Sequence, residues 1–293
     1  MSYFYPATIE AAIRLLANHA GRARVIAGGT DLMPAIRDGK IDPEALVDIT
    51  RVPGLDRIEF DDAWITVGAA VTFAMLRDSA FLRARVPALA QAAASVGAAP
   101  LQEMATWAGN VVQAMPAADG GVAAVALEAE AHVVDAKGAR WVAVESLYTA
   151  AKTSAIDSTR QVITHLRFPA PPAGWGCAWQ RIGRRPSLTL PILSCAATLR
   201  IISSTAEIES ATIALGPVAA LPFRARGAEA SLAGHPADDG TFERAGELAR
   251  EECHPRTNPL RASAEYRGAL IPAIVRAALS AARTHATGRM PQY

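Results

Sequence analysis

Two glycine-bearing segments about eighty residues apart, Ala27-Gly28-Gly29-Thr30-Asp31 and Thr106-Trp107-Ala108-Gly109-Asn110, constrain this chain more than anything else in it. Each follows or adjoins an apolar run. Glycine has no Cβ, so the main chain can approach a ligand closely and curl successive N–H groups into an anion-binding nest. A single Gly-Gly pair is more often an ordinary tight turn. Two such loops, followed by Met115-Pro116-Ala117-Ala118-Asp119, point to a dinucleotide whose pyrophosphate is gripped from both sides. Gly28-Gly29 with no further glycine does not fit the G-x-G-x-x-G fingerprint, which disfavours an ordinary Rossmann domain.

The pattern around the loops is that of a mixed fold. Ile9, Ala12, Ile13 and Leu16 fall on one helical face, and Gly21 offers a stop. Arg24 to Ala27 reads as a buried strand running into the first loop, Leu32 to Arg37 as a brief helix, and Ala45 to Ile49 as a second strand. That is a compact β-α-β unit with its loop at the carboxyl end of a strand, where α/β sheets bind ligands. Ala63 to Gly68 reads as a strand, with Thr72 as a helix cap beyond it. Small-residue helices follow at Ala88 to Ala94 and Gly120 to Ala129, the second with Asp119 in place to cap it. Ala131 to Asp135, Lys137-Gly138 and Arg140 to Val144 form a hairpin pattern, and Gln161 to Phe168 a last strand. Pro169-Ala170-Pro171-Pro172-Ala173-Gly174 is the clearest linker. Strands are then expected at Trp175 to Ile182, Cys195 to Ser203 and Ala211 to Leu215, and helices at Thr241 to Cys253 and Ser263 to Thr284.

Composition removes several classes of function. A formal net charge of +1 and the lack of a basic tract give no electrostatic case for nucleic acid or a membrane surface. No apolar run approaches the roughly 20 residues needed to span a bilayer. Met1-Ser2-Tyr3-Phe4-Tyr5-Pro6 lacks the basic and long apolar regions of a secretory signal, so a cytoplasmic location is expected. Cys177, Cys195 and Cys253 are too scattered for a four-cysteine cluster or zinc site. The histidines show no H-E-x-x-H spacing, and neither a G-x-S-x-G elbow nor a Walker A loop occurs. If the chain moves electrons, an organic cofactor carries them.

With these residues in view, the chain resembles a known family. Val25-Ile26-Ala27-Gly28-Gly29-Thr30-Asp31-Leu32-Met33-Pro34 is similar to the first flavin loop of the FAD-binding subunits of molybdenum hydroxylases, among them the medium subunits of carbon monoxide dehydrogenase and of bacterial xanthine dehydrogenase-like enzymes. Thr106 to Asn110 resembles their second loop, Pro116 to Asp119 the element after it, and Arg261-Ala262-Ser263-Ala264-Glu265-Tyr266-Arg267 their C-terminal helix signature. Trp107 and Ala108 depart from that pattern, standing where a smaller residue and a glycine are usual, and so does Gln102-Glu103.

The resemblance implies an α+β fold: a two-lobed FAD-binding domain (PCMH/vanillyl-alcohol-oxidase-like) over 1–172, with lobes of about 1–55 and 56–172, then a C-terminal α/β domain of the CO dehydrogenase flavoprotein type over 173–293. FAD would contact Val25, Ile26, Ala27, Gly28, Gly29, Thr30, Asp31, Leu32, Thr106, Trp107, Ala108, Gly109 and Asn110 through main-chain amides, hydroxyls and apolar walls. Asp119 would meet the flavin's sugar-like part, Ile163 would lie beside the cofactor or in the core, and Gln180 would approach the ring where some relatives carry lysine. Arg184 and Arg185 are candidates for a nucleotide phosphate, with surface ion pairing the simpler role.

No residue is nominated as a general acid, base or nucleophile, because the flavin carries the chemistry. Molybdopterin is expected on a large partner and two [2Fe–2S] clusters on a small one, with NAD⁺, O₂ or a quinone-type acceptor taking the electrons. The alternatives are a free-standing flavin oxidoreductase and an assembly subunit with a degenerate FAD pocket. Gly28→Val is expected to abolish flavin retention while leaving the domain folded.

Overall fold

A computed structural model describes residues 1–288, which gather into two compact units. The first comprises Met1–Met75, Ala99–Ala114 and Glu128–Ala170; the second comprises Leu76–Ala98, Met115–Leu127 and the chain from Pro171 onward.

The first unit holds a small parallel sheet in which strand Ala45–Asp48 lies between Ser2–Phe4 and Ala23–Ile26. Its central strand is buried throughout, as expected of a parallel strand covered on both faces. Helix Ile9–Asn18 starts at Thr8, whose hydroxyl accepts from the Ala11 amide at 3.2 Å, and buries Ala12 and Leu16. Gly21 takes a left-handed φ of +89° beyond its end. Helix Leu32–Arg37 connects Ala23–Ile26 to Ala45–Asp48, so the expected β-α-β unit is present.

A five-stranded antiparallel sheet follows, ordered Ile58–Phe60, Trp64–Gly68, Val162–Pro169, Glu130–Asp135 and Gly138–Ala143. Ile65, Val67, Leu166, Phe168, Ala131 and Val133 are buried at alternate positions. On the other face the Arg167 guanidinium lies 3.9 Å from the ring centres of both Trp64 and Trp141 and pairs with Glu130 at 2.7 Å. Cation–π contact lets two large aromatics sit on an open sheet face without forming a bare apolar patch.

The second unit is a four-stranded antiparallel sheet, Trp175–Ile182, Leu193–Ile201, Ile208–Gly216 and Phe223–Arg224, with helices on both faces. Strand alternation assigns the layers. Ala178, Cys195, Ala197 and Leu199 pack with Ile271, Val275 and Leu279 of helix Ala264–Ala286 and with Phe242 and Ala245 of helix Asp239–Glu252. On the opposite side Cys177 accepts from the Ala88 amide at 3.4 Å, and the Trp179 indole donates to Ser95 at 3.1 Å, both on helix Pro87–Ser95. Helix Asp119–Ala126 joins it there, its Ala126 carbonyl accepting from Thr212 at 2.6 Å. All three cysteines are free and buried, as small apolar side chains would be.

Gly176 fixes how closely the sheet meets the long helix: a Cβ there would lie 2.2 Å from the Ala282 oxygen. Gly176→Ala is therefore expected to destabilise the chain by at least the roughly 1–3 kcal/mol typical of overpacking, read as a lowered urea midpoint. Gly268→Ala in the same helix meets open space. It should instead gain about 0.5–1 kcal/mol from helix propensity.

Candidate functional site

Strand Ala23–Ile26 delivers the first loop, and the main chain of the second loop backs onto it. A Cβ on Gly28 would lie 2.0 Å from the Met104 carbonyl oxygen and 3.0 Å from Ala105 Cα, so only glycine permits that approach. Gly29 adopts φ +68°, the left-handed region, which turns the chain from strand to helix. The amides of Gly28, Gly29 and Thr30 donate to no protein acceptor among the described residues, although all three residues are half-buried. Val25, Ala27 and Leu32 are also half-buried beside them, and Ile26 is buried. Asp31 is exposed, and its side chain makes no cap bond to the helix it precedes.

The second loop is fixed by its own bonds. Phe73 donates to the Ala105 carbonyl at 3.0 Å and Trp107 to that of Val71 at 3.3 Å, on either side of a Thr72–Thr106 bridge. Thr106 caps helix Trp107–Gln113, its hydroxyl accepting from the Gly109 amide at 3.1 Å. The Asn110 amide returns to the Thr106 carbonyl. The amides of Trp107, Gly109 and Asn110 are thus engaged within the protein, which narrows the expectation that the whole Thr106–Asn110 run faces a diphosphate. Asn110 Oδ1 is buried with no partner among the described residues.

Trp107 is fully buried, its ring edge-on to Phe168 with centroids 6.0 Å apart, and Ala108 is buried too. Both departures from the family pattern therefore fall on the core side of the loop. Ile163 is likewise a buried strand residue, opposite Val133.

Asp119 belongs to the second unit. It does not cap its helix: Ala118 occupies the cap position, and Asp119 is the first helical residue. Its carboxylate turns instead to Arg181, accepting from Nε at 3.1 Å in a pair shielded on both sides (side chains 5% and 10% exposed). Oδ1 has no partner. Burial pushes the Asp119 carboxyl up, to about 7, against the opposing pull of Arg181. Arg181 also donates to the Thr189 carbonyl. Sequence reasoning singled out Gln180, one residue earlier, but strand alternation puts Gln180 on the face of Ala178 and Arg181 on that of Trp179. The period-two pattern of Trp175 to Ile182 was the signal for that choice. Arg184 and Arg185 hold main-chain oxygens, of Leu260 and Leu188, rather than carboxylates. Neither arginine forms an ion pair among the described residues. Among the described residues no three His, Cys, Asp or Glu side chains group as a metal site, and no helix is long and apolar enough to cross a membrane.

Two outcomes follow from this geometry. The expectation that a Gly28 variant stays intact is overturned, because the added Cβ strikes a carbonyl of the neighbouring loop and not an open nest. Gly28→Ala should lower the calorimetric melting temperature of the flavin-free chain as well as its flavin uptake. For Asp119, a folded-state pKa above the unfolded value makes the ionised group a cost that grows as pH rises from about 4 to 7 and is constant above about 8. Relative to Asp119→Asn, the wild type should therefore lose stability across that window, measured by urea unfolding at a series of pH values.

Comparison with known proteins agrees with this architecture. Residues 1–171 match the model of the FAD binding domain in molybdopterin dehydrogenase, and residues 179–282 that of the CO dehydrogenase flavoprotein C-terminal domain. The chain is 26% identical to the xanthine dehydrogenase FAD-binding subunit of Escherichia coli O157:H7, over 99% of this chain and 98% of the relative. It is 29% identical to the carbon monoxide dehydrogenase medium chain of Afipia carboxidovorans, over 97% of each. The solved carbon monoxide dehydrogenase of Hydrogenophaga pseudoflava superposes with a TM-score of 0.90 at 28% identity, covering 97% of this chain and 98% of that one. The chain belongs to the FAD-binding medium subunits of the molybdenum hydroxylases, oxidoreductases in which a flavin domain precedes a CO dehydrogenase flavoprotein C-terminal domain.

Proposed function

We propose that this chain is the flavin-bearing electron relay of a heteromeric molybdenum hydroxylase. It receives electrons from [2Fe–2S] clusters on a small partner, after a molybdopterin-bearing large partner has oxidised the substrate. It passes them to NAD⁺, O₂ or a quinone-type acceptor. The observation that carries the reading is the run of half-buried, unpartnered amides at Gly28, Gly29 and Thr30, held against the main chain of the second loop. Three consecutive N–H donors with no protein acceptor among the described residues suit a diphosphate, since donors left unmade away from full solvent are costly.

The residues present fit FAD. Thr30 offers a hydroxyl beside the amides. Asn110 Oδ1, buried and unpartnered, accepts a donor from the cofactor. Val25, Ile26 and Leu32 supply apolar wall, and the core-directed side chains of Trp107 and Ala108 leave the loop unobstructed. Taken by itself, the second unit offers Asp119 Oδ1, an acceptor suited to a hydroxyl of the flavin's sugar-like part, and Arg181 keeps that carboxylate oriented. When bound, the flavin supplies the redox chemistry, taking electrons singly and releasing them to the acceptor. The protein's own residues bind, orient and tune; none is assigned a proton-transfer step.

Purified chain titrated with FAD should develop the absorbance bands of protein-bound oxidised flavin at one equivalent. Asn110→Ala, which deletes one buried acceptor, should weaken FAD binding by roughly tenfold with little change in unfolding midpoint. Quenching of flavin fluorescence would measure it. A chain that takes up no FAD, alone or with its partners, would sink the relay reading.

A further inference from the structure

Arg267 lies in the first turns of helix Ala264–Ala286 and is 4% exposed. Its Nη1 donates to two main-chain oxygens, of Arg256 at 3.1 Å and Pro217 at 3.3 Å. Nε and Nη2 are buried and have no partner among the described residues. A guanidinium cannot escape this by losing its proton in any ordinary pH range. A buried charge with no counter-ion and two of its three nitrogens unmet, among the described residues, is a costly arrangement for a fold to keep.

The unpartnered donors have a defined geometry. With Nη1 occupied, the remaining donors form the Nε–Nη2 edge, the side that grips a carboxylate or phosphate through two parallel hydrogen bonds. The surroundings carry the same sign. Arg261 stands close enough to act on Arg267 electrostatically, and Arg184 donates to the Leu260 carbonyl at 2.9 Å on the same turn. Arg184, Arg256, Arg261 and Arg267 have no carboxylate partner among the described residues. The helix end adds its own partial positive charge, and Ser263 caps it at the Tyr266 amide.

We propose that this corner of the second unit is an oxyanion site that takes a phosphate group on the Nε–Nη2 edge of Arg267, with Arg261 and Arg184 adding charge around it. Admission requires the turn 256–262 to shift, because the edge itself has no solvent contact; most of that turn is half-buried or exposed. The phosphate is either free or part of a nucleotide. The proposal does not rest on the flavin loops or on the relay reading.

The test is a titration of inorganic phosphate into the full-length chain, with ionic strength held constant by chloride so that general screening cancels. Melting temperature and ³¹P line broadening are the readouts. Wild type should show a saturable rise in melting temperature, as binding to the native state alone requires. Arg267→Met, similar in length and uncharged, should abolish that rise. Arg261→Gln should raise the half-saturating concentration by roughly five- to tenfold. If Arg267→Met does not fold, the Arg261→Gln and Arg256→Gln variants at more open positions still carry the test. Competition by ADP at one equivalent identifies a nucleotide source; phosphate binding untouched by ADP identifies the free anion. A melting temperature independent of phosphate, or the same phosphate response in wild type and the arginine variants, overturns the proposal.

Discussion

A carbonyl oxygen sits where a side chain on residue 28 would begin, and the first glycine loop depends on that close approach. Two stretches of main chain, far apart in sequence, meet with nothing between them. Packing of this kind leaves no tolerance, because backbone atoms cannot rotate aside as a side-chain tip can. Each stretch is therefore held from behind. The first leaves strand Ala23–Ile26, paired along the fully buried Ala45–Asp48. The second is tied by the Thr72–Thr106 bridge and by Trp107, driven into the core against Phe168. Core packing thus positions a loop in which the amides of Gly28, Gly29 and Thr30 bond to nothing among the described residues.

The second unit shows the same economy with charge. Asp119 gives one oxygen to Arg181 and keeps one spare; Arg267 gives one nitrogen to two carbonyls and keeps an edge spare. In a low-dielectric interior, leftover polar atoms are expensive. In the proposed function and in the proposed oxyanion site, these are the atoms that an outside group would complete.

Much of this was legible from residue order. Strand Trp175–Ile182 and helix Leu32–Arg37 lie where periodicity and turn residues placed them, because local pattern and tertiary packing agree there. The glycine loops were legible as loops. Their reason was not: at Gly28 the decisive neighbour is a main-chain atom at Met104, which no local pattern announces. Asp119 was misread as a cap because the cap signature says nothing of Arg181, which reaches it from a distant strand. Trp107 stood out in the sequence only as a departure from the family pattern, and that pattern does not say that its ring packs inward against Phe168. Short strands such as Ser2–Phe4 carry too few residues for a period to register.

The path of the chain has a last consequence. It leaves the first unit at Leu76, returns at Ala99, leaves at Met115, returns at Glu128 and leaves again at Pro171. Helices Pro87–Ser95 and Asp119–Ala126, encoded inside the flavin half, build one layer of the other unit's sheet. The proline-rich stretch near residue 170 is therefore the last of five crossings between the units, not a single divide. Recombination or truncation there would strip a sheet of one covering layer. The second unit of such a chain is complete only when segments from both sides of that stretch are present.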